Sequence, residues 1–321
     1  MPGLLVILVF GLLFPADIDA CLIAFSGAFT VGFGAFKKLS DYPPAPMLIV
    51  AIGICTSAWL GSLAGNFFPL LLLLAVLWAI GCALVSAVDN TAWWIVQQWT
   101  VALVVAGNYA GGLETANERA LLLLLGAAVE MLGFQLFHQL IRQPRTPLSY
   151  TLFRANLNAI RNNLEGQVRL GRYAVYIGSV IFLSMLIIQL LGLGHGYWAP
   201  LAALSVLKLD LRETRSKGAG RLLGTLGGCL LAMPLAHAIR DPQVLVAVTL
   251  ACVFLAYTLQ NARYSLFCLF LSASVLLMLA IGGSSEWQAS YERLLATLIG
   301  GGLAILVVGF ENRLLDRLHP Q

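Results

Sequence analysis

Glu130 is an acidic residue set twelve positions into an apolar stretch, "RALLLLLGAAVEMLGFQLFHQLI", which covers 119–141. An ionised carboxylate near the middle of a bilayer is costly. The side chain is therefore protonated part of the time, paired, or turned to water. Those are the properties of a proton-coupling group, and a structural hydrogen bond to a neighbouring helix explains them equally well. Asp17 and Asp19 follow Pro15 at the end of an earlier apolar run. They read as an outer cation or proton access point, or as a solvated turn. A second group is cationic. The segment "KLDLRETRSKGAGR" (208–221) carries Lys208, Arg212 and Arg221 with Asp210 among them. A net positive vestibule of this kind raises the local concentration of an organic anion. Tyr197 and Trp198 lie just upstream, where they are read as interface or core aromatics or as ligand-stacking groups.

These residues sit in a chain that is 60% hydrophobic and 11% charged over 321 residues. Soluble domains are about a quarter charged, so this composition excludes a soluble globule. The net charge of +4 does not point to nucleic acid. The six cysteines lie in apolar stretches with no CxxC pair, which reads as buried small side chains rather than metal or redox sites. No HExxH, GxxxxGK[ST] or Ser-His-Asp pattern is present. The sequence therefore calls for no enzyme, cofactor or metal.

A crossing helix needs roughly 20 apolar residues. The candidates are 2–15, 18–36, 45–64, 67–88, 91–110 and 119–141, then 172–192, 196–208, 219–237, 243–259, 264–281 and 291–311. The prediction is an all-α polytopic membrane protein of about twelve helices. Two of the candidates, 2–15 and 196–208, are short. The first is read as a true span, not a signal peptide, because no basic region precedes it. The domains expected are a first transmembrane repeat, 1–141, a cytoplasmic amphipathic connector, 142–171, and a second repeat, 172–321. With the N-terminus inside, sixteen of the nineteen lysines and arginines fall on the inner side, leaving Arg119, Arg240 and Arg293 outside. That bias places both termini in the cytoplasm.

The halves echo each other at an offset of 174. Glu118-Arg119 falls on Glu292-Arg293, Gly126 on Gly300 and Cys55 on Cys229. An even number of spans per half makes the two six-helix repeats parallel. Unusually short or Gly/Pro-interrupted spans at matching positions mark a substrate path. The second span of each half fits, 21–38 through Gly27, Gly32 and Gly34, and 195–210 through its shortness and Pro200. Simple close packing is the alternative. Asp89 in "DNT" reads as a helix N-cap, and His195 and His237, near the outer face, as groups that titrate around neutrality or as solvated loop residues.

The stretch "RLLGTLGG" (221–228) combines these themes. Gly220, Gly224 and Gly228 make one bare helical stripe that admits a close neighbour. Arg221 and Thr225 share the next stripe, where Arg221 draws in an anion or pins the 208–218 loop. A basic loop followed by Arg-x-x-Gly-Thr-x-x-Gly at the head of a span, here Arg221, Gly224, Thr225 and Gly228, resembles the signature of the fusaric acid resistance and aromatic acid exporter family. The upstream "YWAPLAALSVL" (197–207) is similar to that family's Trp-Ala segment. The resemblance implies a bacterial inner-membrane exporter of aromatic or other organic acids, driven by the proton gradient. It also implies a homodimer, by way of the plant malate channels that look like distant relatives, and a periplasmic membrane-fusion partner. Two other functions compete with export, a passive organic anion channel and an envelope scaffold that moves no solute.

Overall fold

The computed structural model describes residues 3–5, 7, 11, 18–37, 39, 44–86, 89–140, 168–208, 211–283 and 285–318. Among these the chain is helical, with α1 Ile18–Gly34, α2 Ala45–Ala64, α3 Phe68–Ser86, α4 Asn90–Asn108, α5 Leu113–Leu140, α6 Val168–Leu191, α7 Trp198–Val206, α8 Leu211–Ala238, α9 Pro242–Leu259, α10 Tyr264–Ile281 and α11 Glu286–Leu318. Eight of them, α2, α3, α5, α6, α8, α9, α10 and α11, are long and apolar enough to cross a membrane. The chain is thus a multi-pass membrane protein. The predicted first span falls almost entirely outside the described residues, as do Asp17, Asp210 and nearly all of the connector 142–171.

Two of the sequence-derived spans are corrected. The segment 196–208 forms only the nine-residue α7, about 14 Å long at 1.5 Å per residue, where the hydrocarbon core is about 30 Å thick. Pro200 does not break it, because it stands in the first turn, where its missing N–H costs nothing. The helix ends instead at buried Leu207, whose backbone turns extended (φ −61°, ψ 126°). The next span starts earlier than hydropathy suggests. Residues 211–221 are the opening turns of the 28-residue α8 rather than a loop, braced by a Lys217–Glu213 contact of 3.3 Å one turn apart. Arg212 lies exposed on this stretch.

The chain forms two compact units, Met1–Ala174 and Val175–Gln321. In the first, α2 packs on α4 and α5, α1 on α5, and α3 on α4. In the second, α8 packs on α10 and α11, α7 on α11, and α9 on α10. The same order of pairs therefore recurs. The glycines at the offset of 174 explain part of it. A Cβ on Gly126 would run into the carbonyl oxygen of Ala24 on α1, and one on Gly300 into that of Ala199 on α7.

Helix α1 runs unbroken through its glycines. Gly27 serves close packing there, since a Cβ would strike the Leu123 carbonyl on α5. Asp89 caps α4, accepting from the backbone N–H of Thr91 at 2.8 Å and of Ala92 at 3.3 Å, as its place in the sequence predicts. The six cysteines are buried, and none is in a disulfide.

Candidate functional site

The glycine stripe of α8 faces α10. Gly224 sits against the Ser265 carbonyl, Gly228 against that of Leu269, and Gly220 beside Tyr264. This approach decides where the adjacent stripe goes. Thr225 is buried, and the Arg221 guanidinium lies beside the Tyr264 hydroxyl and the Cys268 thiol of α10. Arg221 is half-buried, and its Nε is fully buried with no well-aligned hydrogen bond. Thr214 braces the start of the 208–218 segment, accepting from the Lys208 N–H at 3.0 Å and donating to the Lys208 carbonyl at 3.1 Å. A threonine side chain thus satisfies the backbone freed where α7 ends, as a break at membrane depth requires.

Arg293 on α11 reaches the same neighbourhood, where it feels the charge of Arg221 and lies near Cys229, Cys268 and Tyr197. Its guanidinium stands over the Trp198 ring, 4.7 Å from the centroid. It is 5% exposed, and its Nε too lacks a partner. Arg293 is thus a buried residue of the second unit. The reading of His195 as a solvated residue is corrected. Glu292 accepts from the His195 backbone N–H at 2.8 Å and contacts its Nδ1 at 2.7 Å, while Gln288 donates to the other carboxylate oxygen at 3.0 Å. The His195 ring stacks on Trp198 at 5.2 Å, and Tyr197 meets the same indole edge-on at 5.3 Å. Both aromatics are buried. The adjacent Glu292 and Arg293 thus diverge, the acid to the turn before α7, the base towards α8 and α10.

The first unit treats the matching pair differently. Arg119 donates to the Ser62 hydroxyl and, at 3.2 Å, to the Ala106 carbonyl, and Glu118 is exposed. Ser62 corresponds to Ala236, so the second unit lacks the hydroxyl that satisfies this arginine. Arg221 corresponds to Met47, fully buried among apolar side chains. Glu130, 2% exposed, accepts from the Leu4 backbone N–H at 3.2 Å, an anchoring role within that unit. Asp19 is exposed in the first turn of α1. Lys37, beyond the end of α1, stands 5.4 Å from the Trp94 ring centroid, and burial holds its ammonium below the usual lysine pKa.

Residues 183–307 match the family model described as fusaric acid resistance protein-like. That match takes in 125 of the 321 residues. The matched segment holds α7 to α10, and with them Arg221, Tyr264, Glu292 and Arg293. The chain is 29% identical to the inner membrane protein YccS of Escherichia coli over 43% of its own length and 19% of that relative. It is 25% identical to an uncharacterised protein, ORF2, of Neisseria gonorrhoeae over 49% of its length and 38% of the relative. It is 32% identical to an uncharacterised protein, slr1298, of Synechocystis over 35% and 15%. It therefore spans well under half the length of each. No solved structure matches it.

Sequence reasoning missed Glu292 and Arg293 as site residues. They mark the repeat, but hydropathy starts the last span at 291, which leaves both at a loop edge. Helix α11 begins five residues earlier, at Glu286, just after a turn built on Gly283 at φ 78°. That shift carries the pair into the helix packed against α7 and α8.

Proposed function

We propose that this chain is a bacterial inner-membrane transporter that exports aromatic or other organic acids, coupled to proton influx, with both termini cytoplasmic. It is built of two parallel six-helix repeats, works as a homodimer, and delivers to a periplasmic membrane-fusion partner. The observation that carries the transport reading is α7. A nine-residue helix stops within the bundle of the second unit, with buried backbone leaving the helix at Leu207. Discontinuous helices of this kind form the substrate sites of many carriers, because irregular backbone at membrane depth survives only inside protein or beside a wet cavity. The recurring order of helix pairs supports the repeat. Lys208, Arg212 and Arg221 supply a positive approach to α7.

The hydrogen bond from Leu4 to Glu130 favours a second reading at one point. A carboxylate occupied by backbone is a poor coupling group, and a passive organic anion channel needs none. The purified full chain in liposomes, offered a panel of aromatic acids with and without an imposed pH gradient, separates the two. An exporter coupled through Glu130 requires the gradient and is uncoupled by Glu130→Gln. A channel conducts without a gradient, in the variant as in the wild type. Absence of flux for every acid would leave the envelope scaffold.

A further inference from the structure

Among the described residues of the second unit, four buried side-chain polar atoms make no well-aligned hydrogen bond, although Ser205 and Arg221 lie within reach of the Tyr264 hydroxyl. They are Arg221 Nε, Tyr264 Oη, Ser290 Oγ and Arg293 Nε. They are neighbours. Arg221 lies beside Tyr264 and Arg293 near Arg221. Cys229, which reaches towards the Ser290 carbonyl at 3.9 Å, also lies near Arg293. Every one of the four can donate, two are permanently cationic, and no ion pair among the described residues involves either arginine. The nearby carboxylate, Glu292, is occupied by His195 and Gln288.

Two guanidinium groups in an apolar bundle are costly without a counter-charge. A carboxylate accepts through about four lone-pair positions and matches the planar guanidinium fork. Trp198, under Arg293 at 4.7 Å, places an apolar surface beside the charge. The first unit, where Ser62 and Ala106 satisfy Arg119, has no such set at the matching position.

We propose that Arg293 and Arg221, with Tyr264 and Ser290, form a binding site for the carboxylate of an organic anion between α8, α10 and α11. This rests on the transport reading for its purpose and names the residues that hold the cargo.

The test is calorimetric titration of the detergent-solubilised full chain with benzoate, succinate and inorganic phosphate at constant ionic strength. Arg293→Gln is expected to weaken carboxylate binding by about tenfold or more, since a hydrogen bond to a charged group contributes about 1.5–3 kcal/mol. Without ligand it is expected to unfold at the same temperature as the wild type or higher, because an uncompensated cation has been removed. A lowered unfolding temperature with unchanged affinity makes Arg293 a structural anchor and overturns the proposal. Binding of phosphate but of neither carboxylate overturns the ligand class. If Arg293→Gln does not fold, Arg293→Lys keeps the charge and loses the fork, and unchanged binding in that variant overturns the site. Flux separates the site from the transport reading. Carboxylate binding lost in Arg293→Gln, with no flux in the wild type, keeps the site and removes transport. Wild-type flux that Arg293→Gln leaves untouched keeps transport and removes the site.

Discussion

Replacing Gly224 with valine should prevent the second unit from assembling. A Cβ at this position would overlap the Ser265 carbonyl and come within 2.5 Å of the Cys268 Cβ. The Ser265 carbonyl belongs to the backbone of α10 and cannot rotate away as a flexible side chain would. The two helices must separate, and the contact one turn on opens with them, at Gly228, where a Cβ would stand 2.5 Å from the Leu269 carbonyl. Overpacking against backbone is expected to cost about 3 kcal/mol or more, a large fraction of the stability of any domain. Size-exclusion chromatography and thermal unfolding in detergent would show aggregated or early-melting protein. Gly301→Val supplies the control, because nothing lies within 4 Å of a Cβ there. Equal losses in both variants would mean that the α8 stripe has no special packing role.

Arg221→Ala is expected to abolish transport while the protein still folds. The side chains its guanidinium approaches, Tyr264 and Cys268, belong to a helix already held by Gly224 and Gly228, and the Tyr264 hydroxyl keeps Ser205 within reach. Loss of one charge-assisted contact to an anion weakens its binding by about 10- to 150-fold, the equivalent of about 1.5–3 kcal/mol. Initial rates of organic-acid flux in liposomes, read beside the melting temperature, separate this from a structural role. Normal flux, or flux lost only together with the fold, would show that Arg221 carries no anion.

These two residues also show what a sequence of this kind exposes. The glycine stripe and the arginine beside it follow from helical spacing alone, since residues four apart share a face whatever surrounds them. The shortness of α7 could be suspected from Pro200 and the interrupted apolar run. Its true cause is the extended backbone at Leu207, secured by a contact between Lys208 and Thr214, six residues apart, that no periodicity marks. Arg293 was hidden for a different reason. Its meaning depends on Ser62 having become Ala236 in the second half, and that matters only once Arg119 is seen to rest on Ser62. Glu130 stood out because charge in an apolar run is conspicuous, but a backbone N–H 126 residues away has no trace in local pattern. Hydropathy located helices and misjudged the starts of α8 and α11, where charged and polar turns continue the helix beyond the apolar run.

Counterflow in reconstituted liposomes tests the account most directly. Vesicles loaded with unlabelled benzoate and diluted into a trace of labelled benzoate should transiently concentrate the label, because a carrier with a saturable site exchanges one anion for another. Arg221→Ala and Arg293→Gln should show no such overshoot. Equilibration of label without overshoot in the wild type, or no uptake of label, would contradict a transporter that carries an organic anion on the buried arginines of its second unit.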